Sequence, residues 1–119
     1  MEIGIDIVEI ARIRALYEAY GDRFLQRILT ENEIRQCLVK PDIAASVAGR
    51  FAAKEAVSKA IGSGISGELA WKTIEILNDI TGKPQASLRH PDLHQRYGMV
   101  RVSISHDRHS AVAMAVIEP

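Results

Sequence analysis

Glu55 and Lys59 stand four residues apart in the stretch Gly49-Arg50-Phe51-Ala52-Ala53-Lys54-Glu55-Ala56-Val57-Ser58-Lys59-Ala60-Ile61-Gly62. That spacing puts a carboxylate and an ammonium one turn apart on the same side of a helix. A carboxylate holds a hard cation, and a lysine beside it holds phosphate oxygens. On the helical period Phe51, Ser58 and Gly62 share this face. A hydroxyl therefore adjoins the lysine, and the run Gly62-Ser63-Gly64-Ile65-Ser66-Gly67 follows, where a ligand can come close to backbone. Taken alone, the pair also matches an ordinary surface ion pair, contributing about 0.2–0.5 kcal/mol. The glycine–serine run lacks the spacing of a P-loop or a dinucleotide-binding turn.

Other chemistry-bearing residues are sparse. Asp6 sits inside Glu2-Ile3-Gly4-Ile5-Asp6-Ile7-Val8, where aspartate is unusual for a strand. It fits equally a solvent-facing polar position or a metal-binding carboxylate on a rigid strand. His106 ends an apolar strand face just before a turn, with Ser103 and Ser105 ahead of it, but no third group completes a hydrolase triad. His90, His94 and His109 lie in polar stretches and read as surface. There is no nucleophile elbow and no zinc-ligand spacing.

The elements that must position these residues follow from the hydrophobic period. A long helix starts after Pro41 and stops at Gly62, with Ala53, Val57, Ala60 and Ile61 as its core face. Residues 2–8 alternate as a strand, with Ile3, Ile5 and Ile7 on one side and Gly4 and Asp6 on the other. A helix over 9–20 carries the stripe Ile10, Ile13, Leu16 and Tyr17 and ends at Gly21. A short helix over 22–29 turns Phe24, Leu25, Ile28 and Leu29 inward. Thr30-Glu31-Asn32-Glu33 is a capping box, which predicts a third helix from about residue 31 to Val39. Trp71–Asn78 alternates as a strand. A turn over 79–84 follows, with Gly82 free to take positive φ, and then a short strand Gln85–Leu88. Pro91–Tyr97 reads as helical turns ending at Gly98. Val100–His106 and Ala111–Ile117 form an antiparallel hairpin. Helices early and strands late, with one strand at the start, predict an α+β fold with an antiparallel sheet packed on the long central helix.

The chain has 119 residues, which predicts one domain over 1–119. Its 15 basic and 15 acidic residues cancel, which argues against bulk attraction to nucleic acid or an anionic membrane. No apolar run approaches the roughly 18 residues of a membrane span. The N-terminus lacks the basic region and apolar run of a signal peptide. The lone Cys37 excludes an internal disulfide and fits a reducing cytoplasm. Arg12, Arg14, Arg23 and Arg27, set against Glu18 and Asp22, make a local positive excess. Either a solvated helix face or a docking surface for an acidic protein would look this way.

Four short motifs occur in one order. Gly4-Ile5-Asp6-Ile7-Val8-Glu9-Ile10-Ala11-Arg12-Ile13 resembles the N-terminal motif of the small, bacterial-type phosphopantetheinyl transferases. Arg50 to Ala60 resembles their second motif, aromatic-x-x-Lys-Glu-Ala-x-x-Lys. Gly82-Lys83-Pro84 and Ser103-Ile104-Ser105-His106 match the later signatures. The resemblance implies transfer of the 4'-phosphopantetheine arm of coenzyme A to a serine of apo acyl carrier protein, with Mg²⁺, in support of fatty acid biosynthesis. It implies that Asp6 and Glu55 are the metal ligands. Glu55, directly or through a water, takes the serine proton, and Lys59 neutralises pyrophosphate charge. By the same resemblance Ser58, Gly62 and the following loop line the coenzyme A channel, and Lys83 and His106 hold the adenosine and its 3'-phosphate. Asp107 is a further acid that reaches toward the metal in one reading. The four arginines would face the acidic helix of the carrier protein. A homotrimer with active sites between subunits is also implied, with Ala111–Ile117 as the central contact. Two rivals stand beside this: a Mg²⁺-dependent phosphohydrolase of coenzyme A or nucleotides, and a non-catalytic oligomeric binding module.

Overall fold

The computed structural model describes residues 1–118. In it the chain runs β1 (Glu2–Glu9), α1 (Ile10–Tyr20), α2 (Asp22–Ile28), α3 (Glu31–Leu38), α4 (Ile43–Ile61), β2 (Ile74–Asn78), β3 (Pro84–Leu88), α5 (Pro91–Tyr97), β4 (Met99–His106) and β5 (Ser110–Glu118). This is the expected α+β class. The strands form an antiparallel three-stranded sheet, ordered β1-β5-β4, and a separate β2-β3 hairpin.

Helix α4 is central because almost every side of it carries small or apolar residues. Asp42 caps its start, accepting the Ala45 N–H at 3.2 Å, and Gly62 closes it in the left-handed region at φ 93°. Of its 19 residues, 13 are buried, so α4 is a core rod rather than a one-sided surface helix. The expected core residues Ala53, Val57 and Ala60 are buried, whereas Ile61 is half-buried. Ser58, expected on the open face, is fully buried.

The seam between α4 and the sheet is unusually close. Central strand β5 offers Ala111, Ala113 and Ala115 to the interior, and α4 answers with Ala52, Ala56 and Ala60 at four-residue intervals. On β1, a Cβ at Gly4 would lie 2.7 Å from the Ala60 nitrogen and closer still to the Ala56 carbonyl oxygen. Only glycine permits that approach. Farther back along the helix, a Cβ at Gly49 would meet the Ile104 side chain at 3.1 Å. Helix α4 thus crosses the sheet from β4 to β1.

The alternation of β1 is present, and α4 covers the side bearing Gly4, Asp6 and Val8. Ile3, Ile5 and Ile7 face outward, exposed at 60%, 60% and 66%. Asp6 therefore points toward the helix, and its reading as a solvent-facing strand position is overturned.

One expected strand is shorter than its alternation implied. Trp71–Thr73 form a 3₁₀ turn, and β2 begins only at Ile74. Local bonds win there over a ladder: the Thr73 N–H donates to the Ala70 carbonyl at 3.0 Å, and the Ala70 N–H donates to Thr73 Oγ1 at 3.3 Å. No described helix is long and apolar enough to cross a membrane.

Candidate active site

The Gly4 contact brings the strand aspartate alongside the last turns of α4. Lys59 Nζ donates to Asp6 Oδ1 at 2.9 Å and to the Ile5 carbonyl at 3.1 Å. The lysine side chain is 53% exposed and the aspartate 16%, so the pair sits at a mouth rather than in the core. Glu55, one turn earlier, is half-buried. Burial, first, and the negative charge of Asp6, second, push its carboxyl above the ordinary glutamate value, while Lys59 and Arg12 oppose the rise. Arg12 lies over the Phe51 ring, 5.6 Å from its centre. Asp6, Glu55 and Lys59 therefore form one electrostatic cluster with Arg12 at its edge.

This donor set fits Mg²⁺. Two carboxylates supply hard oxygens, and like charges that raise a carboxyl pKa are relieved by a divalent cation between them. Among the described residues no three His, Cys, Asp or Glu side chains converge. A closed protein cage is thus not offered by these residues. Two carboxylates, with water and substrate phosphate completing the shell, is the usual manner of holding Mg²⁺.

The other residues singled out by sequence fall in different places. Ser58 is tucked beneath the open face, its Oγ donating to the Glu55 carbonyl at 2.7 Å. It braces the turn that carries Glu55 and does not line the surface in this chain. Gly62 follows directly, its N–H donating to the Ser58 carbonyl at 2.9 Å. His106 is exposed at the end of β4, opposite Ala111, which is itself opposite Val8. Two strand spacings, about 10 Å, separate that row position from β1. Asp107 is occupied as a turn cap: its Oδ1 accepts the His109 and Ser110 N–H groups, both at 2.8 Å, and these donors lower its pKa.

Lys83 is exposed in the β2–β3 turn, where Gly82 has the expected positive φ, 88°. It stands at the rim of a groove of about 870 Å³ between β3 and β4, lined by residues including Leu88, Val100 and Ile104. Ile104 is in register with Asp6 across Ala113. The titratable groups that act on one another nevertheless gather at the α4–β1 mouth rather than in this groove, and chemistry follows the charges. One chain thus unites Asp6, Glu55 and Lys59 but keeps Lys83 and His106 apart from them. Of the arginines, Arg14 is tied to Asp42 by two 3.2 Å bonds, whereas Arg23 and Arg27 are exposed.

Sequence reasoning missed a second charge cluster on α4. Lys54 Nζ donates to Glu33 Oε1 and to the Ile28 carbonyl, both at 2.7 Å, and to the Trp71 carbonyl at 2.9 Å. Both side chains are 0% exposed. Glu33 Oε2 also accepts the Ile76 N–H at 2.8 Å. The available signal was a lysine flanked at helical spacing by Phe51 and Val57, which places its stem among apolar neighbours.

The chain belongs to the 4'-phosphopantetheinyl transferase superfamily, whose sequence profile matches residues 2–116. A holo-[acyl-carrier-protein] synthase of Chlorobaculum parvum is 62% identical over 119 residues, covering 100% of this chain and 99% of that protein. The crystal structure of Helicobacter pylori holo-[acyl-carrier-protein] synthase in complex with coenzyme A aligns with a TM-score of 0.89 at 38% identity, over 98% of this chain and 99% of that one. That of a Bacillus anthracis holo-(acyl-carrier-protein) synthase in complex with CoA (3',5'-ADP) aligns at 0.84 with 42% identity, over 98% and 94%. The family read from the four motifs is thus the family found, and the α+β architecture is shared with these structures.

Proposed function

We propose that this chain, as one domain, transfers 4'-phosphopantetheine from coenzyme A to a serine hydroxyl of apo acyl carrier protein. The observation that carries the proposal is the Asp6–Glu55–Lys59 cluster at the α4–β1 mouth of a superfamily member. The serine Oγ attacks the phosphorus bearing the pantetheine arm. The bond from that phosphorus to the bridging oxygen breaks, and adenosine 3',5'-bisphosphate leaves. Asp6 and Glu55 are the residues that would hold Mg²⁺, which when bound offsets the charge developing on the pyrophosphate. Lys59, whose side chain is 53% exposed, would bind pyrophosphate oxygens. Glu55, whose basicity is raised by burial and by Asp6, is suited to accept the serine proton. Gly62, which ends α4 just past Lys59, and the loop after it are assigned to the coenzyme A channel. Lys83 and His106 are assigned to the adenosine and its 3'-phosphate.

The separation of Lys83 and His106 from the carboxylates supports a site shared between subunits of a homotrimer. So does the outward face of the three-stranded sheet, where exposed Ile3, Ile5 and Ile7 stand opposite Val116, Met114 and Val112 of β5. An apolar face of this kind marks an interaction surface. The contact expected at Ala111–Ile117 is thereby widened to include β1. Arg12, Arg23 and Arg27 would meet the acidic carrier protein. Arg14, held by Asp42, is the least available of the four. The place of work is the cytoplasm, in support of fatty acid synthesis.

The test follows coenzyme A and carrier protein together. With Mg²⁺, coenzyme A should be consumed only when apo carrier protein is present, and the carrier should gain one phosphopantetheine. Coenzyme A cleavage without carrier protein would instead favour the phosphohydrolase.

A further inference from the structure

We infer that Lys59 keeps the Asp6 carboxylate closed to a divalent cation until coenzyme A arrives, so that cation and coenzyme bind as a coupled pair. The inference rests on the proposed roles of Asp6 and Glu55 and adds a device to them. Its basis is where the ammonium sits. Lys59 is bonded not only to Asp6 Oδ1 but also to the Ile5 carbonyl, the backbone immediately before that aspartate. A lysine serving only to reach for phosphate would extend into solvent. Here its two bonds fold it back over the carboxylate.

Charge counting gives the direction of the coupling. With Glu55 ionised, the two carboxylates are balanced by the ammonium of Lys59 and the guanidinium of Arg12, which acts on Glu55. A divalent cation entering alone would leave two positive charges in excess, beside both Lys59 and Arg12. A pyrophosphate entering alone would add negative charge to the two carboxylates. Entering together, the two ligands nearly restore the resting charge. The pyrophosphate also offers Lys59 new acceptors, so Asp6 is released as the cation needs it. Lys59 can make that move because its side chain is 53% exposed, whereas Asp6 is held on a strand locked to α4 through Gly4. Linkage requires the effect to be reciprocal: whatever coenzyme does for the cation, the cation does for coenzyme.

The test titrates Mn²⁺, a hard divalent ion with the same oxygen preference, and follows the free ion by electron paramagnetic resonance, with and without coenzyme A. Without coenzyme, Lys59→Met should bind Mn²⁺ more tightly than wild type, by about tenfold. With coenzyme the order should reverse, because the variant lacks the pyrophosphate contact. Lys59→Arg, which keeps the charge, should behave as wild type without coenzyme. Binding by Lys59→Met that is equal to or weaker than wild type without coenzyme, while wild type still binds Mn²⁺ with coenzyme, overturns the lysine device and spares the ligand assignment. Wild type that binds no Mn²⁺ even with coenzyme, or Asp6→Asn that binds it undiminished, overturns the ligand assignment and the device with it.

Discussion

Lys54 and Lys59 lie five residues apart on one helix, and each is paired with a carboxylate, yet they belong to different regimes. Lys54 is completely enclosed, with three acceptors for its three ammonium protons: Glu33, the Ile28 carbonyl and the Trp71 carbonyl. Its bonds tie α4 to the end of α2, the cap of α3 and the turn before β2. Burial lowers its pKa, and the Glu33 charge opposes that. Lys59 has two acceptors, is half-exposed and stands where a ligand can reach it. A fully satisfied buried ion is committed to the fold, whereas one that can exchange partners with solvent is available for chemistry. Ion-pair distance does not separate the two, at 2.7 Å and 2.9 Å; enclosure and partner count do.

The largest loss of stability should come from removing the buried lysine. Lys54→Met leaves Glu33 with its two backbone donors but no countercharge, and unfolding stability should fall by roughly 3 kcal/mol. Urea denaturation reads this directly. Adding Glu33→Gln to Lys54→Met should recover part of the loss, since no uncompensated charge then remains.

Lys59→Met should show the converse. Stability should change by less than about 1 kcal/mol, as for other exposed pairs, while carrier-protein modification at saturating coenzyme slows on the order of a hundredfold. Stopped assays on protein of verified fold measure it. A variant that unfolds as readily as Lys54→Met would erase the distinction.

Gly4→Ala acts on the open pair from the strand side. The added methyl meets helix backbone, which cannot rotate away, and should cost about 1–3 kcal/mol. The resulting shift of β1 from α4 should lengthen the Lys59–Asp6 contact but leave the Lys54 cluster intact. Thermal unfolding and Mn²⁺ affinity in the presence of coenzyme A should therefore both weaken.

The smallest effect is a gain. The folded-state pKa of Glu55 lies above its ordinary value of 4.5, so the folded protein binds more protons than the unfolded chain in the window above that value. Stability from this residue is then full below the unfolded pKa and is lost as pH rises through the folded one. Glu55→Gln should be slightly more stable than wild type at neutral pH, with the difference vanishing in acid below the ordinary value. Urea midpoints at several pH values check the sign.

Much of this was legible in the sequence, for definite reasons. The helix bounds were marked by Gly21, the Thr30–Glu33 capping box, Pro41 and Gly62, and those signals are local. The carboxylate and lysine of α4 shared a face by spacing alone. What spacing could not give was enclosure. Ser58 falls on the same face as Glu55 but is fully buried, and the groups that enclose Lys54, from Ile28, Glu33 and Trp71, come from separate stretches of the chain. The side of β1 that α4 would cover was also hidden. Alternation names two faces, but the choice depends on Gly4 meeting Ala56 and Ala60, a tertiary contact between residues far apart in the chain. For the same reason the isoleucine face turned outward.

On this reading the open cluster on α4 and β1, rather than the enclosed one, performs the transfer. Intact-mass spectrometry of apo acyl carrier protein incubated with coenzyme A, Mg²⁺ and either wild type or Glu55→Gln tests it most directly. Wild type should add one phosphopantetheine per carrier, and Glu55→Gln, folded as judged by circular dichroism, should add it on the order of a hundredfold more slowly. Wild-type protein that leaves the carrier mass unchanged, or Glu55→Gln that modifies it at the wild-type rate, would rule this assignment out.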